Sequence, residues 1–182
     1  MLYGTTWLNK SNHHADSFGK YTESLGQLDK YLSLSMVCGS LSGKPGYNLR
    51  HIIFQNQNRI NVPKKFYSST RFIIPGVPTL PNDDKINLFY SMYSIAIEST
   101  QEKNYISEKL IDCLITKTIP VYWGCPNAPD FFDTSYWLNI EDLLNFNFTE
   151  EYYYNNIEKI NKNFEEAKKY CKNIFERILE IK

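Results

Sequence analysis

A cluster of polar side chains follows the apolar segment Ser94–Glu98, which has the composition of a buried strand. The cluster comprises a tyrosine, two acidic residues and a lysine: Tyr105, Glu108, Lys109 and Asp112. Their spacing of i, i+3, i+4 and i+7 predicts one face of a helix that begins at Asn104 as its N-cap and runs to Lys117. A helix that follows a strand places its first turns at the carboxyl edge of the sheet, where open α/β sheets bind ligands. We therefore expect a ligand site there.

A second polar element lies upstream. Alternating residues over Tyr31–Cys38 predict a strand, a loop rich in glycine and proline follows, and Tyr47–Asn58 is predicted to be a helix. Arg50 lies near the start of that helix, so loop, helix N-terminus and guanidinium together form a candidate anion-binding corner. The alternative is an ordinary surface arginine.

These residues have the chemistry needed to bind a nucleoside diphosphate. Arg50, Lys109 and a helix N-terminus can neutralise the two phosphates, while Glu108 can accept hydrogen bonds from ribose or sugar hydroxyls. In glycosyl transfer the diphosphate is the leaving group, so these cations would stabilise the charge that grows in the transition state. The sequence contains no Asp-x-Asp, and we therefore expect neither a metal ion nor another cofactor.

The ordered motifs resemble the donor-binding signature of the fucosyltransferases of glycosyltransferase family 10. They are Ile97-Glu98-Ser99, then Asn104-Tyr105-Ile106-Ser107-Glu108-Lys109, then Thr118-Ile119-Pro120-Val121-Tyr122-Trp123-Gly124. Arg50 is similar to the arginine that binds the donor pyrophosphate in that family. The resemblance implies a GT-B enzyme that transfers fucose from GDP-fucose, its donor substrate, to a glycan acceptor, with inversion and without a metal.

By position, the resemblance implies a donor site of seven residues: Arg50, Glu98, Ser99, Tyr105, Glu108, Lys109 and Gly124. In that assignment Arg50 and Lys109 hold the phosphates. Tyr105 contacts the nucleotide, and Glu108 binds hydroxyls of the donor. Ser99 stands where the family usually has asparagine, which weakens the analogy at one donor contact.

The resemblance covers roughly residues 31–170, the C-terminal donor lobe. Family enzymes also carry an N-terminal lobe that holds the acceptor and the general base. Residues 1–30 are an irregular lead-in, interpreted as a remnant of such a lobe, and residues 31–182 as the nucleotide-sugar-binding domain. The general base is unknown, and Glu98 is the one fallback candidate.

Two other interpretations stay open at this point. The chain could be a non-catalytic donor-lobe remnant, or a nucleotide-binding subunit that needs a partner for turnover. It could also be a purely structural α/β domain whose polar cluster is a solvated helix face. That last alternative requires Arg50, Glu98 and the polar cluster to coincide without a cause.

The remaining pattern completes a Rossmann-like α/β domain with a parallel sheet. The other predicted elements are a short strand at Arg71–Ile74 within a proline-rich connection, a strand at Thr118–Trp123, a helical turn at Asp130–Asp133, a short strand at Trp137–Ile140 and a long amphipathic helix over Glu151–Lys182. On that last helix Ile157, Phe164 and Cys171 are expected to face the domain, a partner lobe or a second copy of the chain.

Net charge, cysteine spacing and hydropathy indicate which classes of protein the chain does not resemble. A formal net charge of zero gives no basic field for nucleic acid. The four cysteines lie far apart and are expected to be reduced and mostly buried. Since the chain shows neither a signal peptide nor an apolar run of about 20 residues, we expect a soluble, cytoplasmic protein without a membrane span.

Overall fold

The computed structural model describes Leu8 and residues 23–71, 73–81 and 84–171 of the 182 residues. The strands are β1 (Tyr31–Cys38), β2 (Lys64–Ser68), β3 (Ser91–Ile97), β4 (Ile119–Trp123) and β5 (Leu138–Asn139). The helices are α1 (Pro45–Gln55), α2 (Glu108–Ile115), α3 (Glu150–Asn155) and α4 (Ile157–Lys168). Short 3-10 turns lie at Gln57–Arg59, Lys85–Leu88, Ala128–Asp130 and Ile140–Asp142.

All five strands are parallel and lie in the order β2-β1-β3-β4-β5. In this order the chain leaves β1 toward one side of the sheet and β3 toward the other, so a crevice opens between their carboxyl ends. The predicted α/β fold with a parallel sheet is confirmed. The two polar elements of the sequence, near Arg50 and Lys109, follow the two strands that border this crevice.

The sheet is buried on both faces. Alternate residues of β1, including Leu34 and Met36, pack with Ile53 of α1 in one core cluster. Val37 packs in a second cluster with the apolar residues of α2, such as Leu110 and Leu114. Because β3 is covered on both sides, all seven of its residues are buried, as expected for a central parallel strand.

The strand prediction for β1 is confirmed at both ends, and β4 and β5 lie within the segments predicted for them. The predicted strand at Arg71–Ile74 is wrong, because the strand next to β1 is Lys64–Ser68. The first two residues of β2 are lysines, which interrupt the apolar pattern expected of a strand. Lysines are nevertheless common on edge strands such as this one. The helical turn predicted at Asp130–Asp133 lies earlier, at Ala128–Asp130.

The predicted single C-terminal helix is wrong in the described residues, since it consists of α3 and α4 with a break at Asn156. The amide of Asn156 donates to the carbonyl of Tyr152 at 2.9 Å, and such side-chain bonds compete with helix continuation. Phe164 and Cys171 are buried in the domain and Ile157 packs at the edge of its core, so all three face the domain. Helix α4 ends at Lys168, and residues 172–182 lie outside the described part.

Part of the lead-in packs on this fold. Leu8 and Leu25 are buried in the second core cluster, and residues 23–25 form a helical turn. The other residues before position 23 lie outside the described chain. In the ranges that the structure covers, no helix combines the length and hydrophobicity that crossing a bilayer requires.

Lys30 joins the segments that enter three strands at the amino edge of the sheet. Its ammonium donates to the carbonyl oxygen of Phe89 and, at 2.7 Å, to Oγ1 of Thr118. Burial lowers the pKa of Lys30 to about 7. The folded protein therefore holds this proton less tightly than the unfolded chain does.

Replacing Lys30 with methionine should change how stability depends on pH. Between pH 7 and pH 10 the unfolded chain keeps the Lys30 proton and the folded protein loses it, so wild type gains stability with rising pH, by at most about 1.4 kcal/mol per pH unit. Lys30→Met should lack this contribution. Urea unfolding of both proteins at pH 6, 8 and 9.5 measures the difference, and parallel pH profiles would contradict the assignment.

Candidate functional site

The centre of the site is the carboxylate of Glu98, which follows β3 directly and is 0% exposed. Its Oε1 accepts a hydrogen bond from the backbone N–H of Ser107 at 2.9 Å. Its Oε2 accepts from the Ser107 hydroxyl at 2.5 Å and from the Lys109 ammonium at 3.3 Å. One side chain thus fixes the start of α2 against the end of β3.

Helix α2 begins later than predicted because Ser107, not Asn104, is its N-cap. The Ser107 hydroxyl accepts from the backbone N–H of Lys109 at 3.4 Å, and the same residue is held by Glu98. Asn104 instead has a left-handed backbone with φ of 62°, a conformation that asparagine tolerates. Its backbone N–H donates to the Asn127 side chain at 2.9 Å, so it belongs to the loop.

The predicted polar face of this helix is therefore divided. Tyr105 precedes the helix, and Asp112 is only 1% exposed, on a helix whose residues from Leu110 to Ile115 are all buried. Glu108 and Lys109 remain in the first turn and keep part of their side chains in solvent. The interpretation of the cluster as a solvated helix face is wrong for Asp112.

Lys109 is surrounded by acceptors. Its ammonium lies 3.3 Å from carboxylate oxygens of both Glu98 and Glu108 and 2.8 Å from the Ser107 hydroxyl. Burial alone would lower the pKa of Lys109, but the two carboxylates outweigh burial and raise that pKa. The ammonium is thus charged, oriented and still accessible, with its side chain 28% exposed.

Arg50 reaches the same region from the other side of the crevice. Its Nη1 donates to the carbonyl oxygen of Ile97 at 2.7 Å, and its guanidinium stacks on the ring of Tyr47 at 5.1 Å. Burial lowers the pKa of Arg50, and the charges of Glu98 and Glu108 oppose that shift. Since one bond uses one of five N–H donors, the guanidinium retains donors for a ligand.

Gly46 makes this close approach possible. Its N–H donates to the carbonyl oxygen of Ser99 at 3.1 Å, which ties the first turn of α1 to the end of β3. A Cβ atom at position 46 would lie 1.7 Å from the carbonyl oxygen of Glu98. No larger side chain fits there without moving backbone, so the glycine keeps Arg50 next to the end of β3.

Charged side chains of both signs gather in this region. The cations are Arg50, Lys85 and Lys109, with Lys85 lying 3.8 Å from Glu108; the anions are Glu98 and Glu108. Burial alone would raise the pKa of Glu108, but the charges of Lys109 and Lys85 outweigh it and lower that pKa. Arg50, Lys85 and Lys109 thus bring three cationic groups to Glu98 and Glu108, and such groups can bind an anionic ligand.

The other predicted site residues surround this cluster. The Tyr105 hydroxyl lies 3.3 Å from Oγ of Ser99, so these two side chains meet at the loop after β3. Gly124 follows β4, and a Cβ atom there would lie 2.5 Å from Cγ of Glu98. Gly124 therefore provides space for the buried glutamate. All seven predicted residues border one region.

Three residues in this region were not among the predicted site residues: Gly46, Ser107 and Tyr122. Tyr122 accepts from the backbone N–H of Cys125 at 2.9 Å, and its hydroxyl would lie 2.6 Å from a Cβ at Gly124. A serine directly before an apolar helix is an N-cap signal that could have identified Ser107. The roles of Gly46 and Tyr122 depend on contacts between distant segments. Across the described ranges no three or more Cys, His, Asp or Glu residues gather as a metal site would require.

Comparison with known proteins finds one partial sequence match and a similar fold in solved structures. No protein-family model matches the chain. A segment of 68 residues is 37% identical to the α-(1,3)-fucosyltransferase FucT of Helicobacter pylori, and the match covers 36% of this chain and 14% of that protein. This segment is homologous to part of an α-1,3-fucosyltransferase.

A solved structure extends the likeness in fold to most of the chain. A crystal structure of an α1,3-fucosyltransferase with GDP-fucose superposes with a TM-score of 0.50 and 18% identity, over 88% of this chain and 53% of that one. The chain shares its fold with that fucosyltransferase. A second crystal structure, of an α1,3-fucosyltransferase with GDP, gives a TM-score of 0.49 at 18% identity, over 87% and 54% of the two chains. This chain spans about half the length of those proteins.

Replacing Glu98 with glutamine should destabilise the fold. The amide would direct N–H groups at the Ser107 N–H or hydroxyl and would remove the charge that pairs with Lys109, at a cost of about 2–3 kcal/mol. Chemical denaturation measures the loss of unfolding free energy. Glu102→Gln, an exposed position in the same loop, is the matched control and should change stability by less than about 0.5 kcal/mol. Equal effects of the two substitutions would contradict the role given to Glu98.

Proposed function

We propose that this chain binds a nucleoside diphosphate sugar, GDP-fucose, as the donor lobe of a fucosyltransferase of glycosyltransferase family 10. The observation that carries the proposal is the placement of Arg50 and Lys109 on opposite sides of the crevice between β1 and β3, each fixed to the end of β3. A diphosphate in the crevice would meet a cation on either side. Its negative charge would also pair with these two cations.

Each site residue has a role in this proposal. Arg50, with donors left over from its bond to Ile97, and Lys109, with part of its side chain in solvent, bind the two phosphates. The phosphates would take over part of the Lys109 contact with Glu108, leaving that carboxylate to accept sugar or ribose hydroxyls. Tyr105 contacts the nucleotide, and Ser99 orients the Tyr105 hydroxyl.

Glu98 acts in this proposal as a positioning residue and not as the general base. It is fully buried and both oxygens already accept hydrogen bonds, so an acceptor hydroxyl has no path to it. Gly124 assists by leaving room for its side chain. Transfer of fucose to a glycan, with inversion and without a metal, then needs a base other than Glu98.

The positions of Arg50 and Lys109 favour donor binding, whether the chain is a transferase or a nucleotide-binding subunit. A transferase and a nucleotide-binding subunit would use Arg50 and Lys109 in the same way. They differ in whether a base and an acceptor surface complete the site. The homologous segment shared with an α-1,3-fucosyltransferase supports the transferase.

Titration with GDP by isothermal calorimetry tests donor binding. Arg50→Ala and Lys109→Ala should each weaken binding by about 1.5–3 kcal/mol, or roughly 10- to 150-fold in Kd, because each removes a charged hydrogen-bond donor to phosphate. Arg59→Ala and Lys169→Ala, both exposed positions outside the crevice, are matched controls and should bind as wild type does.

Absence of GDP binding by the wild-type chain, or equal affinities for all five proteins, would reject the proposal. Release of GDP from GDP-fucose, measured with and without an added glycan acceptor, then separates the two interpretations. Turnover supports a transferase, and binding without turnover supports a nucleotide-binding subunit.

A further inference from the structure

A second concave surface lies beside the proposed donor site, at the carboxyl ends of β4 and β5. We name it the β4–β5 cleft and define it by Gln101, Trp123, Pro126, Trp137, Asn139 and Glu141, which contribute to its lining. Its volume is ≈ 510 Å³, within the range of small-molecule sites. Of the seven residues of the proposed donor site only Gly124 lines it, while Arg50, Lys109 and Tyr105 do not.

One wall of the β4–β5 cleft is a fixed set of aromatic rings. Tyr122 and Trp137 pack edge to face, with ring centroids 5.6 Å apart, and Phe132 supports Trp137 from behind at 6.2 Å. The bond from the Cys125 N–H holds the Tyr122 hydroxyl in place. Trp123, at the end of β4, is half-buried and packs at the edge of the first core cluster. The Tyr122–Trp137 part of the wall is therefore formed before any ligand arrives, and Trp123 lines the cleft from the other face of β4.

The rim is polar and carries hydrogen-bonding capacity that the described residues do not use. Gln101, Asn139 and Glu141 are exposed, and within the described chain their side chains make no hydrogen bond or ion pair. Together they offer two amides and one carboxylate. Such groups donate to and accept from hydroxyls.

The charge of the lining excludes the ligand class proposed for the neighbouring site. No lysine, arginine or histidine is among the described residues that line the β4–β5 cleft, and Glu141 gives it a negative charge. A phosphate would be repelled there. A neutral ligand with one apolar face and a rim of hydroxyls would satisfy both the aromatic wall and the polar rim.

We propose that the β4–β5 cleft is a saccharide subsite that binds a neutral sugar ring. The C–H face of the ring would lie on Trp123, while Asn139 and Glu141 would bind its hydroxyls. This inference rests on the proposed function, because it takes the bound sugar to be a substrate of the proposed transferase. The cleft adjoins the donor site through Gly124, whose neighbour Glu98 holds Lys109. A ring in the cleft is thus close to the phosphates of the proposed donor.

Saturation-transfer NMR on the full chain tests the subsite, with L-fucose as the probe for a donor sugar and methyl β-galactoside as the probe for an acceptor sugar. Either sugar receiving saturation supports the proposal, and the one that binds identifies the source. Trp123→Ala should weaken that binding about tenfold by removing the stacking surface. Glu141→Gln should weaken it about fivefold, since it removes a charged acceptor.

Matched controls separate the subsite from general effects. Tyr154→Ala replaces an exposed aromatic residue, 55% exposed and outside the cleft, and Asp142→Asn replaces the exposed carboxylate next to Glu141. Both should bind as wild type does. If Trp123→Ala fails to fold by circular dichroism, Glu141→Gln decides alone. Two results overturn the proposal: no transfer to either sugar, or affinities that Glu141→Gln leaves unchanged.

The two proposals can fail separately. GDP binding without saccharide binding overturns the subsite and leaves the donor site in place. Saccharide binding without GDP binding supports the β4–β5 cleft as a sugar site and rejects the donor function.

Discussion

Burying the Glu98 carboxylate at the end of β3 would destabilise the fold unless its charge and both oxygens were satisfied. The loop from Ser99 to Ser107 meets that requirement by returning the Ser107 N–H and hydroxyl and the Lys109 ammonium to this one side chain. The N-terminus of α2 adds a favourable dipole to the same contact. The position of Lys109 thus follows from the need to bury a charge.

The parallel sheet supplies the second half of the site. Since β1 and β3 are neighbours whose chains depart to opposite faces, α1 and α2 bring Arg50 and Lys109 to the crevice from opposite sides. Gly46 allows the first turn of α1 to lie against the backbone of Glu98. Both cations are therefore attached to the end of one strand.

The periodicity of apolar residues was sufficient to predict the elements whose residues are buried in a regular pattern. The strand over Tyr31–Cys38 alternates cleanly, and the segment before Glu98 is apolar throughout, so the parallel sheet and the edge that carries the polar residues could be predicted. Strand β2 could not, because its two lysines break the pattern on an exposed edge. The break at Asn156 was missed because apolar residues keep a helical spacing across it, while the side-chain bond that interrupts the helix leaves that spacing unchanged.

In the candidate site, too, local sequence patterns identified residue types but not the contacts between distant residues. Residue types identified Arg50, Glu108 and Lys109 as partners for an anion, and the structure brings them to one crevice. The pairing of Glu98 with Ser107, which shifts the helix start past Asn104, depends on a contact across nine positions that no local pattern encodes. For that reason the sequence suggested Glu98 as a base, whereas burial makes it a residue that positions Lys109.

A double-mutant cycle on GDP affinity tests that central relation most directly. It compares wild type, Glu98→Gln, Lys109→Ala and the double variant by calorimetry. If Glu98 acts by positioning Lys109, Glu98→Gln weakens GDP binding in the wild-type background and has little further effect once Lys109 is gone, with a coupling of at least about 1 kcal/mol. Additive effects, or tighter GDP binding by Glu98→Gln, would contradict this account.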